Sequence, residues 1–164
     1  NDYPNKEKTE KEIDILVNYQ KEYNKSKTIS EGKKELNFSN EFDELDVPEK
    51  DREKLLKFID DIVDPIIFQL KMKYNRVRPP YFDNRVIPWI SVPLHPSYPS
   101  GHAVQSYTIA YLLSEKYPYK KMIYFESAKR ISRNREVMGL HYPSDTEYGK
   151  KIARIIFENT KFKL

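Results

Sequence analysis

The residues best suited to chemistry lie at the two ends of one stretch, from Pro96 to Asp145. Its front end reads Pro99-Ser100-Gly101-His102, and its back end reads Arg135-x5-His141-x3-Asp145. Ser100 is a good helix cap. The turn that follows presents free N–H groups and the positive end of a helix dipole, which suits an anion. His102 stands in that turn. Asp145 falls in the first turn of another helix, where its carboxylate can accept the Nδ1–H of His141 and leave Nε2 free to attack. Lys71, Arg78 and Arg135 add positive charge, and a planar guanidinium meets phosphate oxygens in pairs. Phosphoryl transfer needs neutralised oxygens, an in-line nucleophile and a proton for the leaving group. Here His141 can attack, and His102 can protonate the leaving oxygen and then deprotonate a water. The three cations, the Ser100 hydroxyl and the Gly101 N–H can cradle the phosphate, and glycine permits close backbone approach.

Other residues carry weaker signals. His95, the third histidine, precedes the stretch and is read as a loop or pocket-wall residue. Trp89, Tyr98 and Tyr142 are candidates for a substrate entrance. Lys73 and Arg76 read as a solvated face, as do most charges between Lys120 and Arg133. Asp83 and Glu136 suggest no role.

These groups need elements to hold them, and the periodicity is helical throughout. An amphipathic helix is expected over Glu7–Asn24, with Ile15, Leu16, Tyr19 and Tyr23 on one face. A short helical piece is expected at Lys33–Leu36, then a connector over Asn37–Val47. Pro48–Tyr74 carries Leu55, Leu56, Ile59, Ile62, Val63, Ile66, Ile67 and Leu70 on one face, with Asp46 as a cap. Pro65 predicts a kink or break near Val63-Asp64. Val77–Tyr98 is a stiff loop containing Pro79, Pro80, Pro88, Pro93 and Pro96, ordered by Ile87, Trp89, Ile90, Val92 and Leu94. Helices follow at Gly101–Lys116 and Tyr119–Met138, the second ended by Gly139 in a left-handed conformation. Pro143 opens a last helix, Ser144–Phe162, with Ile152, Ile155 and Ile156 inward. No stretch alternates as a strand. The expectation is an all-α, single-domain helical bundle over 1–164, with an N-terminal helical arm at 1–47 and a catalytic core at 48–164.

Composition narrows the partners. Of 164 residues, 38% are hydrophobic and 13% aromatic, enough for a core, and 33% are charged. No apolar run approaches the roughly 18 residues of a membrane span. There is no cysteine, so disulfide and thiolate chemistry are excluded. The net charge of +4 gathers near the candidate site instead of forming a stripe, which favours a small anion over nucleic acid. The first residue is Asn1, so a soluble protein, either cytoplasmic or exported with a removed leader, is expected.

Lys71-x6-Arg78-Pro79, Pro99-Ser100-Gly101-His102 and Arg135-x5-His141-x3-Asp145 together resemble the three-part signature of the type 2 phosphatidic acid phosphatase superfamily. That group includes soluble bacterial class A acid phosphatases, membrane lipid phosphatases and vanadium haloperoxidases. The resemblance covers roughly Asp61 to Ile156. It implies the acid phosphatase/vanadium haloperoxidase type of helical fold, a phosphohistidine intermediate on His141, and neither a catalytic metal nor a cofactor. One departure is Asn134, where many members have Ser; with Arg133 nearby, spacing favours Arg135 as the phosphate ligand. The expected activity is hydrolysis of a small-molecule phosphate ester. A haloperoxidase holding vanadate in the same cradle is the alternative, and the chain is short for that branch. An integral lipid phosphatase is opposed by the absence of spans, while a peripheral enzyme acting on lipid headgroups stays open. A non-catalytic, basic polyanion-binding module is the remaining reading. The helical arm is suited to pairing in a homodimer.

Overall fold

A computed structural model describes residues 3–164. The chain forms helices α1 (Lys6–Glu22), α2 (Lys25–Lys34), α3 (Phe38–Glu44), α4 (Glu49–Phe58), α5 (Asp64–Tyr74), α6 (Pro79–Phe82), α7 (Gly101–Lys116), α8 (Lys121–Val137) and α9 (Pro143–Asn159). A π-helical turn, Ile59–Val63, joins α4 to α5, and a 3₁₀ turn, Pro118–Lys120, leads into α8. The described residues contain no strand, and the fold is all-α. None of their helices is long and apolar enough to cross a membrane.

Side-chain caps set the helix starts in the N-terminal third. Asn5 accepts from the N–H of Lys8 at 2.8 Å, Asn24 from Lys27 at 2.9 Å and Asn37 from Ser39 at 2.9 Å. Asparagine is among the best N-caps because its short amide satisfies an orphan donor. These caps explain two departures from the periodicity. The short helix runs from Lys25, not from Lys33, and the expected connector holds α3. Asp46 does not cap α4: it sits at φ 52°, and Pro48 opens that helix without a side-chain bond.

Pro65 does not break the chain. The backbone stays helical through Val63 (φ −73°, ψ −50°) and Asp64 (φ −61°, ψ −42°). Proline removes a donor and crowds the preceding turn. The π turn before it, closed by Asp64 N–H to Ile59 O, widens the helix where that crowding falls.

α7 is the central helix and packs against both α8 and α9. Val104, Ile109, Leu112 and Leu113 are buried with Leu55, Val63, Tyr124, Ala153 and Ile156, and Phe42 of α3 joins the same cluster. Ile13 and Leu16 of α1 pack separately against Val86 and Tyr142. Ile155, expected inward, is 45% exposed, as is much of Ile15, Leu56 and Ile62.

The crossing of α7 and α9 positions the site. A Cβ on Gly149 would lie 2.7 Å from Ala103 Cβ, 3.1 Å from Ser100 O and 3.3 Å from Val104 N. Two of these atoms are backbone, so no side chain can turn away. Beside this contact the Ser100 N–H donates to Asp145 O at 3.0 Å, tying the start of α7 to the first turn of α9. G149A is therefore expected to lower stability by about 1–3 kcal/mol in chemical denaturation. Adding A103G should recover part of that loss, seen as a favourable coupling in a double-mutant cycle.

Candidate active site

Lys71 lies in the last turn of α5 and is buried, with its ammonium donating to Pro96 O at 2.8 Å. Asn75 ends that helix in the left-handed conformation, φ 49°. The chain then turns through Arg76 to Arg78, which caps α6. Arg78 is also buried. Its Nε donates to His95 O at 3.0 Å, and Nη1 donates to Leu140 O at 3.1 Å. Nη1 also meets Nε2 of His141 at 3.0 Å, and Nη2 meets Nδ1 of His95 at 3.2 Å.

The contact with His141 fixes a tautomer. A guanidinium can only donate, so Nε2 accepts and the proton of the neutral ring is on Nδ1. Nδ1 lies 3.0 Å from Oδ2 of Asp145, which accepts it. Burial, with Arg78 and Lys71 beside it, holds His141 well below the usual histidine range. His141 is thus a neutral ring with a lone pair at Nε2.

Asp145 is completely buried and fully partnered. Oδ2 also accepts the Tyr142 N–H at 2.9 Å, and Oδ1 accepts Nη1 of Arg76 at 2.7 Å. Burial pushes its carboxyl up to about 6, against the Arg76 guanidinium and these donors. It is a carboxylate at neutral pH. Arg76, expected on a solvated face, is a correction: it is 5% exposed and also pairs with Glu12 Oε2 at 3.2 Å. Its place in Arg76-x-Arg78-Pro79, beside a site residue, was the signal available. Nothing local marks Glu12.

His102, in the first turn of α7, is half-buried and lines the same cavity as His141. Burial, then Arg135, lowers its pKa to about 3, and Lys71 and Arg78 act in the same direction. Arg135 is 2% exposed. Its Nη2 donates to Gly32 O at 2.5 Å and lies 3.5 Å from Glu35 Oε1, while its buried Nε has no partner. Arg135 nonetheless lines the same cavity as Lys71 and Arg78. Arg133 instead turns outward, donating to the Tyr23 hydroxyl at 3.1 Å and stacking on Tyr19. A Cβ on Gly32 would come within 2.5 Å of Met138 Cε, so glycine lets α2 close on Arg135.

Lys71, Arg78, Gly101, His102, Arg135 and His141 surround one cavity of about 730 Å³. His95 and Trp89 line it too. Leu36, Phe68, Ile90 and Pro93 add an apolar wall, and Lys33, Asp64 and Gln105 add polar groups; the sequence singled out none of these seven as site residues. A Cβ on Gly101 would make ordinary contacts with Ile67 and Lys71, at 3.7 and 3.9 Å. Packing therefore does not demand glycine there; its absent side chain leaves room beside Lys71.

Three residues expected at the site or its entrance lie elsewhere. Ser100 is fully buried, its Oγ accepting from Ala103 N at 3.3 Å, and it does not line the cavity. It caps α7 from behind the mouth. Tyr98 is also absent from the wall. Its ring stacks on Tyr148 at 4.4 Å and meets Tyr74 and Tyr3 edge-on, where burial of a large ring contributes most. Tyr142 is likewise buried, with the Arg76 guanidinium 3.7 Å above its ring. Glu136, given no role from sequence, is buried and accepts the Thr146 hydroxyl at 2.7 Å.

Residues 60–157, more than half of the chain, match the PAP2 superfamily. No curated protein matches significantly. The three sequence blocks that meet at the cavity fall within the matched span. The chain belongs to the PAP2 superfamily, a group of phosphatase-type phosphoester hydrolases.

Proposed function

We propose that this chain hydrolyses phosphate monoesters by way of a phosphohistidine on His141, without a metal or cofactor. The observation that carries the reading is the His141 imidazole. Asp145 takes its Nδ1–H, and a guanidinium marks its Nε2 lone pair at the cavity wall. An arriving phosphoryl group can take the Arg78 N–H onto one of its oxygens, which frees that lone pair for in-line attack.

In the first step Nε2 bonds to phosphorus as the ester P–O bond breaks. Lys71, Arg78 and Arg135 neutralise the equatorial oxygens, with the free N–H groups at the start of α7. His102 protonates the leaving oxygen. In the empty site His102 is neutral, because burial and the neighbouring cations hold it at about 3. A bound dianion offsets those cations and raises it, so His102 becomes an acid when substrate is present. In the second step His102 takes a proton from water, the water oxygen attacks phosphorus, and the P–N bond breaks to release phosphate. Asp145 stabilises the imidazolium character that develops on His141 in both steps. The apolar wall of Leu36, Phe68, Trp89, Ile90 and Pro93 takes the carbon part of the ester. A cavity of about 730 Å³ suits a small organic molecule.

Turnover of an aryl phosphate in excess chelator tests this. His141→Ala should abolish it, and full activity in that variant, or none in wild type, would overturn the proposal. His102→Ala should lower kcat by about 10²–10⁴. That loss should be larger for alkyl than for aryl phosphates, because an aryl oxide leaves more easily without a proton. Vanadate should inhibit, since five-coordinate vanadate resembles the transferring phosphoryl group.

The buried ammonium sets a further expectation. Burial, then Arg78, lowers Lys71 to about 7, so an anion that needs its charge is held below that pH and released above it. Sulfate keeps a constant charge in this range and is a suitable probe. Its affinity should fall about tenfold between about pH 7 and about pH 8.5, and Lys71→Met should flatten that profile. Calorimetric titration of sulfate at several pH values reads the effect.

A further inference from the structure

Arg76 lies behind the imidazole, away from the cavity wall, and the hydrolytic steps do not use it. Yet it is buried between two carboxylates. Nη1 donates to Asp145 Oδ1 and to Ser144 Oγ, each at 2.7 Å. Nη2 donates to Glu12 Oε2 at 3.2 Å and to Thr9 Oγ1 at 3.0 Å. Glu12 and Thr9 both come from α1. Glu12 reaches the catalytic helix a second time, with Oε1 accepting the Ser144 N–H at 2.6 Å and Oε2 accepting the Ser144 hydroxyl at 2.7 Å. A glutamate from the first helix thus occupies the N-terminus of the last, where negative charge is favoured.

A buried ion pair is a poor stabiliser, because desolvation cancels most of its Coulombic gain. Apolar side chains of similar volume often replace such a pair without loss of stability. What apolar side chains cannot do is hold a carboxylate ionised and aimed. We infer that Arg76, anchored by Glu12, is a positioning residue for the hydrolytic centre: it keeps Asp145 charged and pointed at Nδ1, and so sets the tautomer of His141. The inference rests on His141 being the reacting imidazole.

The charges around Asp145 decide the direction of each expected change. Arg76 faces it from the segment after α5. Lys71 and Arg78 stand on the cavity side, and His141 and the Tyr142 phenol lie beside it. Glu136 acts on it from α8, and Glu12 competes for Arg76 from α1. Removing Arg76 removes a nearby positive charge, so Asp145 protonates at higher pH. Neutralising Glu12 leaves Arg76 to Asp145 alone, so Asp145 protonates at lower pH. A residue that merely packs gives no such opposition.

The chain holds only three histidines, so ¹⁵N spectra of the imidazoles can be assigned with His95→Gln and His102→Gln variants. The spectra report the His141 tautomer whether or not any ester is hydrolysed. In wild type at neutral pH, His141 should carry its proton on Nδ1. In Arg76→Gln the midpoint at which this signature is lost should rise by about one pH unit, in Glu12→Gln it should fall, and Arg76→Lys should lie between wild type and Arg76→Gln. The acid limb of kcat/KM for an aryl phosphate should move with each midpoint. A folded Arg76→Gln with an unchanged midpoint overturns the inference, as do shifts of the same sign in Arg76→Gln and Glu12→Gln. If Arg76→Gln does not fold, Arg76→Lys and Glu12→Gln decide, and wild-type midpoints in both overturn it. Opposed shifts in a chain that hydrolyses no phosphate ester would leave Arg76 its positioning role and sink the hydrolase proposal. An active enzyme with unmoved midpoints would do the reverse.

Discussion

The structure depends on the need to satisfy one buried carboxylate. Asp145 has no access to water, and an isolated carboxylate in that position would be costly. Its side chain takes donors from Arg76, His141 and the Tyr142 backbone, and its carbonyl takes the Ser100 N–H. Those partners come from the segment after α5, the loop before α9 and the start of α7. Meeting the demand of one residue thus assembles the three sequence blocks. The close crossing at Gly149 and Ala103 is the steric condition for it.

The same economics explain the proline-rich loop. Lys71 and Arg78 are both buried and near one another, a costly arrangement without an anion. The loop supplies Pro96 O to Lys71 and His95 O to Arg78, while Leu140 O adds a further acceptor from before α9. Gly32 of α2 supplies the matching carbonyl for Arg135. Main-chain carbonyls stabilise a cation without neutralising it, so Lys71 and Arg78 keep their positive charge at the cavity. The N-terminal helices take part as well: α1 holds Arg76 through Glu12, and Gly32 of α2, with Glu35 just after that helix, holds Arg135.

Much of this was legible where the physics is local. Ser100, Tyr117-Pro118 and Gly139 mark helix ends, and α7 runs from Gly101 to Lys116 as its cap and stop signals require. Gly139 has φ 81°, the conformation its position after α8 asked of it. Local signals failed where two of them competed. Pro65 predicted a kink or break near Val63-Asp64; the chain stays helical there, and the α-helix is interrupted only by one π turn ending at Val63. Asn24 and Asn37 are helix starters that hydrophobic spacing overlooks, since α2 and α3 are short and largely polar.

By itself the sequence determined which groups are present, in what order, and at what spacing within each block, because caps, turns and the four-residue step from His141 to Asp145 act over one helical turn. It therefore pointed to a helical chain and singled out the histidines and cations whose blocks meet at one cavity. Only the tertiary structure decided which cations face the cavity and which brace it. Arg76 and Arg78 are two residues apart, yet one grips Glu12 and Asp145 while the other touches His141 Nε2. Arg135 and Arg133 diverge in the same way, one toward Gly32 and the other toward Tyr23. Glu12 lies 64 residues from Arg76, and Gly32 lies 103 from Arg135. No local spacing constrains partners at that distance; burial does, by requiring each charge taken from water to find one.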